Sequence, residues 1–187
     1  MVLSKINPNK TFVEFLFIIL PITLLFSVLI SEIVVFILIT HYLYISDKKD
    51  KISTIIDPII IFLIFVWVYL IINYLINFDK DPSILRTFFF LRFILLVVAI
   101  NFFINSLKIN LDKIFLYWLI LVVIICGDLF LQYYTQQNIL GFNSIKYDET
   151  IFRLGGFMND ELKISGIIYS FGLLVFSYTY FNEKKFK

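Results

Sequence analysis

The sequence predicts an all-α protein, a polytopic transmembrane helical bundle of about six spans. Three observations predict it. Of the 187 residues, 60% are hydrophobic and 19% aromatic, and the mean hydropathy is +0.93, well outside the range of soluble domains. The apolar residues come in runs long enough to cross about 30 Å of hydrocarbon. The lysines and arginines then divide unevenly between alternate connections, as they do in a multi-pass protein. The chain reads as a single transmembrane domain over 1–187, with one long polar loop at 136–165.

The first run, Thr11–Ser46, stays apolar for about 36 residues, roughly 54 Å as helix, which one straight span cannot absorb. It reads as a hairpin of two short spans, Phe12–Ser27 and Ile33–Ile45, turning at Ser27–Glu32, with Pro21 bending the first. The third span, Ile55–Ile76, carries Pro58 in its first turn, where the missing N–H costs little. Spans follow at Thr87–Ser106, Ile114–Tyr134 and Ile164–Phe181, and "NFDKDPS" and "KINLDK" are short connectors.

With the N-terminus inside, the cytoplasmic side holds Lys5, Lys10, Lys48, Lys49, Lys51, Lys108, Lys113, Lys184, Lys185 and Lys187. The far side holds Lys80, Arg86, Lys146, Arg153 and Lys163. That two-to-one bias needs an even number of spans, so both termini are expected in the cytoplasm and the 136–165 loop outside. The net charge is only +2, and no basic patch lies in a polar domain, which argues against nucleic-acid binding. Cys126, the single cysteine, is expected to pack in its apolar run "LVVIICGD".

Polar residues inside spans are candidates for function. Arg92 lies in the fourth span near its outer end; it either snorkels to the interface or serves a site, with Asp128 in the fifth span as a possible partner. Asp128 is expected to face the interior and meet a basic or polar side chain of a neighbouring span. Arg86 and Arg92, within two helical turns, read as a small cationic patch for phosphate or as two headgroup anchors. His41, the only histidine, reads as interfacial packing beside Tyr42 and Tyr44. Glu14 and Asp57, near span ends, are expected to reach water.

The loop is the most informative stretch. A polar loop of about 30 residues without evident helix or strand is uncommon unless functional. "IFRLGGFMNDELKISG" (Ile151–Gly166) places Arg153 before Gly155 and Gly156, which permit close backbone approach. Asp160 and Glu161 then stand at the expected start of the sixth helix, where carboxylates favour the positive end. Two readings stand: an ordinary capped re-entry turn, or an anion site with Arg153 on a phosphate.

At this loop the chain resembles the O-antigen polymerase and O-antigen ligase superfamily of bacterial inner-membrane glycosyltransferases. Members carry a segment of the type Arg-x-Ser-Gly-x-Phe-Gly-Asp-Glu-Leu, matched here at Arg153, Leu154, Gly156, Phe157, Asp160, Glu161 and Leu162. The preceding "DLFLQYYTQQNILGFNSI" is similar too, with Asn138, Leu140 and Gly141 in register, and the opening hairpin "LFIILPITLLFSVLISEIVVFIL" resembles the family's first two helices. Gly155 stands for the usual Ser and Asn159 for the usual Gly, and Ser165–Gly166 is shifted from the family's small residue. Family members are longer, with further spans and a large periplasmic loop that carries more catalytic residues, often a histidine; His41 does not match that position.

The resemblance implies an N-terminal half of that architecture, or a short diverged member. It implies glycosyl transfer from an undecaprenyl-diphosphate-linked glycan to another glycan or to lipid A-core. Under it, Arg153 would bind the diphosphate, with Arg86 and Arg92 as lesser candidates and Gly155, Gly156, Asp160 and Glu161 in support. No cofactor and no metal is implied, no catalytic residue is assigned, and membrane lipids are the other expected partners. A non-enzymatic membrane subunit or a transporter-like protein is the alternative from another class, and the oligomeric state is left open.

Overall fold

A computed structural model describes residues 8–47, 51, 56–76, 84–146, 152–158 and 164–183. Its helices are α1 (Pro8–Phe26), α2 (Val28–Ile45), α3 (Pro58–Ile76), α4 (Ile84–Asn105), α5 (Leu111–Thr135) and α6 (Ile164–Glu183). All six are long and apolar enough to cross a membrane, so the protein is a multi-pass membrane protein built as an α-helical bundle. Much of the apolar surface is exposed; in α3 only 11% of the span is buried, as expected of a helix whose solvent on most sides is lipid.

The opening hairpin is tighter than the sequence suggests. Only Ser27 lies outside a helix between α1 and α2, which run 19 and 18 residues, so both are full spans of about 27–29 Å. Ser27 stays in the turn, as expected, while Ser31 and Glu32 are absorbed into α2. Thr23 Oγ1 donates to the Leu20 carbonyl at 2.8 Å and Ser31 Oγ to the Val28 carbonyl at 2.7 Å, so neither hydroxyl needs water. The hairpin closes on itself at its far end, where the rings of Phe12 and His41 meet at 5.1 Å.

Contacts divide the chain into two compact units. The first comprises Met1–Val13 and Val34–Ile109. Here Asp57 caps α3 by accepting the Ile59 amide at 2.9 Å, and its second oxygen accepts Asn101 Nδ2 at 3.1 Å. Pro58 follows as the first helical residue, the position its fixed φ suits. Asp57 is therefore half-buried, still partly exposed as expected, and bonded on both oxygens. Trp67 Nε1 donates to the Thr87 carbonyl at 3.0 Å, joining α3 to α4. His41 packs between Phe12 and Phe103, and Tyr42 meets Phe102 edge-on at 5.3 Å, so the histidine packs as the sequence suggests. After α4, Lys108 takes the left-handed conformation (φ 49°), which glycine adopts more readily, and the Ile109 amide reaches back to the Phe103 carbonyl at 3.4 Å.

The second unit comprises Glu14–Ile33 and Asn110–Lys187. Its core face on α5 carries Ile114, Trp118, Ile125, Asp128 and Gln132, spaced by threes, fours and a seven, which is one stripe of a helix. Leu25, Ile125 and Ile164 form its apolar centre, with Leu121, Leu129 and Ile168 against them. Cys126 is exposed on α5, outside that stripe, so it packs against no core. Two polar links tie α1 to the start of α5. Glu14 is 7% exposed and accepts the Asn110 amide at 2.8 Å; it is buried, contrary to its expected place at the water boundary, because the amide before α5 needs an acceptor. Pro21 cannot donate to the Phe17 carbonyl one turn back, and Trp118 Nε1 donates to it at 2.9 Å.

Candidate functional site

The polar loop leaves α5 through Gln136, which adopts a left-handed conformation (φ 60°). It is far from structureless. The Asn138 amide donates to Phe142 O and the Gly141 amide to Asn138 O, with Gly141 at φ 85° closing the turn. Gln137 bridges to Asn143. Strand β1 (Ile145–Lys146) pairs antiparallel with β2 (Phe152–Arg153), Ile145 opposite Arg153. A 3-10 turn over Gly156–Met158 follows. Two-residue strands and mixed polar composition give no periodic signal, which is why the sequence reads this stretch as irregular.

Two buried polar side chains of α5, Asp128 and Gln132, hold the loop to the helix, and a third, Asn138, ties the loop to itself. Asp128 and Gln132 are 0% exposed and Asn138 6%. Gln132 Oε1 accepts the Gly156 amide at 2.9 Å, and Asn138 Nδ2 donates to the Gly156 carbonyl at 2.7 Å. Asn138 Oδ1 accepts the Phe142 amide at 2.7 Å, and Asp128 Oδ1 accepts the Ile139 amide at 2.9 Å. Both polar backbone atoms of Gly156 are thus engaged, one from the helix and one from the loop's own turn. Side-chain hydrogen bonds to buried backbone groups are costly to lose because the partner is left without water.

Gly156 has φ +52°, and a Cβ there would lie 2.6 Å from Ile164 Cδ1, 3.1 Å from Leu129 Cδ2 and 3.3 Å from Asp128 Oδ2. Only glycine fits, so this residue serves the packing of the loop on α5 and α6. Asp128 faces inward as expected, but its hydrogen bond goes to a loop amide. No side chain of another span bonds to it among the described residues, and its Oδ2 is buried without a hydrogen-bond partner among them. Gln132 was not among the residues singled out from the sequence. Its position four after Asp128, continuing the apolar stripe of α5 with a polar side chain, is the signal that could have found it.

Beside the clamp lies an apolar cleft of about 320 Å³. Phe26, Ser27 and Val28 of the hairpin turn form one wall, and Leu140, Phe142, Phe157 and Met158 of the loop form the other. The same end of the unit therefore carries a firmly held polar loop and an apolar recess.

No family model matches the chain, and no curated protein or solved structure matches it.

The candidate residues fall as follows. Arg153 lies in β2, three residues before Gly156, and its backbone is the part described. Gly155 is buried, and its carbonyl accepts the Met158 amide at 3.1 Å. Asp160 and Glu161 lie outside the described residues. Arg86 and Arg92 belong to α4 in the first unit. Arg92 is half-buried, its guanidinium carbon 4.8 Å from the Phe93 ring centroid and 5.8 Å from that of Phe89. Those rings stabilise the cation within the span.

Proposed function

We propose that this chain is an O-antigen ligase- or polymerase-like protein of the bacterial inner membrane, with both termini cytoplasmic. In this reading it serves transfer of a glycan from an undecaprenyl-diphosphate carrier to a hydroxyl of another glycan or of lipid A-core. One observation carries it. The two stretches that resemble the family, 128–145 and 151–166, are joined through Gln132 and Asn138, which bond the amide and the carbonyl of Gly156. A loop that merely returned the chain to the membrane would not need three buried polar side chains to fix it.

The chemistry asks for an oxygen nucleophile and a stabilised leaving group. The acceptor hydroxyl attacks the anomeric carbon, the bond from that carbon to the diphosphate oxygen breaks, and the diphosphate leaves with the electron pair. The hydroxyl proton passes to a base. Cations near the departing oxygens lower the barrier by meeting charge as it develops. Arg153 is the first candidate for that role because a guanidinium meets two phosphate oxygens at once; Arg86 and Arg92 come after it. Gly156, packed against α5 and α6 with both polar backbone atoms bonded, holds the loop in place, and Asp160 or Glu161 would orient the arginine. The apolar cleft beside the loop suits part of a polyprenyl chain.

Glycan transfer measured in membranes tests this reading. Arg153→Lys keeps the charge but loses the two-pronged geometry, so activity should fall roughly tenfold or more, while Arg86→Lys should be mild. Near-normal transfer by Arg153→Lys would return the loop to an ordinary capped turn.

A further inference from the structure

A second feature lies along α5 and α6, toward the start of α5. A groove of about 270 Å³ opens between Asp112 and Phe115 on α5 and Tyr178 and Asn182 on α6. A further recess of about 240 Å³ shares Leu119 and Thr179 with it and continues to Gly172. The two together form one seam with a polar end and an apolar length. At the polar end, Asp112 Oδ1 accepts Tyr178 OH at 2.5 Å and Asn182 Nδ2 at 3.3 Å. Both donors use the same oxygen, and no hydrogen bond reaches Oδ2 among the described residues. The Phe115 and Tyr178 rings stack at 4.2 Å, 17° from parallel, beside the carboxylate.

We propose that this seam binds a phospholipid whose headgroup carries a primary ammonium, of the ethanolamine type. Three features match such a molecule. Asp112 is the second residue of its span, so its carboxylate stands where a helix meets the headgroup layer. An exposed carboxylate flanked by a stacked aromatic pair suits an ammonium, through charge and through the ring faces. Beyond it, Leu119, Val175 and Gly172 leave an apolar channel, and a Cβ at Gly172 would meet nothing within 4 Å. That open space takes an acyl chain. The inference is independent of glycan transfer.

Native mass spectrometry on the full chain in detergent, with dioleoylphosphatidylethanolamine or dioleoylphosphatidylglycerol added to delipidated protein, tests it. The ethanolamine lipid should be retained roughly fivefold better, and Asp112→Asn should bring the two lipids level. Gly172→Leu starts from a Cβ in open space and extends into the channel, so retention of both lipids should fall while the melting temperature holds. Thr179→Leu blocks the same recess from a second position. Equal retention of the two lipids by the unaltered protein, or a preference that survives Asp112→Asn, overturns the proposal. So does undiminished binding in both blocked variants, or a dimer that Gly172→Leu disperses, which would make the seam a helix interface.

Discussion

Replacing Gly156 by alanine tests the clamp at its tightest point. The new Cβ would stand 2.6 Å from Ile164 Cδ1, and Ile164 is itself 3% exposed. Its side chain must move into occupied space, and overpacking of this kind costs about 1–3 kcal/mol. Holding a non-glycine residue at φ +52° adds about 1–2 kcal/mol. The sum, about 2–5 kcal/mol, falls on the docking of the loop, because α5 and α6 keep their own hydrogen bonds. Hydrogen–deuterium exchange reads that docking directly. The Ile139 amide is bonded to Asp128 and the residue-156 amide to Gln132, so both should exchange slowly in the unaltered protein. In Gly156→Ala they should exchange about 30-fold faster or more, the ratio that corresponds to about 2 kcal/mol. Gly166→Ala is the control: a Cβ there meets nothing within 4 Å, and exchange in the loop should not change. Unaltered protection in Gly156→Ala would refute the clamp.

Three further outcomes are expected. Gln132→Leu keeps the bulk but leaves the Gly156 amide without its acceptor, which should cost about 1–3 kcal/mol of loop docking, measured by the same exchange experiment. Asp57→Ala removes the cap of α3 and the partner of Asn101, lowering stability to denaturant by about 1–2 kcal/mol. A cysteine placed at Ser144 should react with a membrane-impermeant reagent added outside intact cells and one at Lys49 should not; labelling at Lys49 would reverse the proposed orientation.

The helical spans were legible because hydrocarbon thickness imposes length, and length survives in composition. Pro58 marked the start of α3 for the same kind of reason, since its chemistry restricts it to a first turn. The exact bounds of the α1–α2 turn were not legible: Ser31 looks like a turn residue until its hydroxyl is seen bonded to a carbonyl three residues behind. Glu14 was misplaced because it accepts an amide from a distant part of the chain, and a linear pattern does not show which groups meet. The same holds for Gln132 and Asn138, whose partners are the backbone atoms of Gly156. Arg153, on which the proposed chemistry turns, was visible as a residue type beside paired glycines, and the function it serves is decided by transfer assays.

The two links between α1 and α5 also bear on how the protein is made. Pro21 withholds the donor that would serve the Phe17 carbonyl within α1, and the donor that bonds it, Trp118, is 101 positions later; the acceptor Glu14 waits similarly for Asn110, 96 positions on. At ribosomal speeds of about 5–20 residues per second, roughly 5–20 seconds separate the emergence of the first partner from that of the second. The first helix therefore enters the bilayer well before its final arrangement is available. Its residence there as a settled span depends on the fifth helix arriving beside it, so the opening segment and the middle of the chain mature together during synthesis.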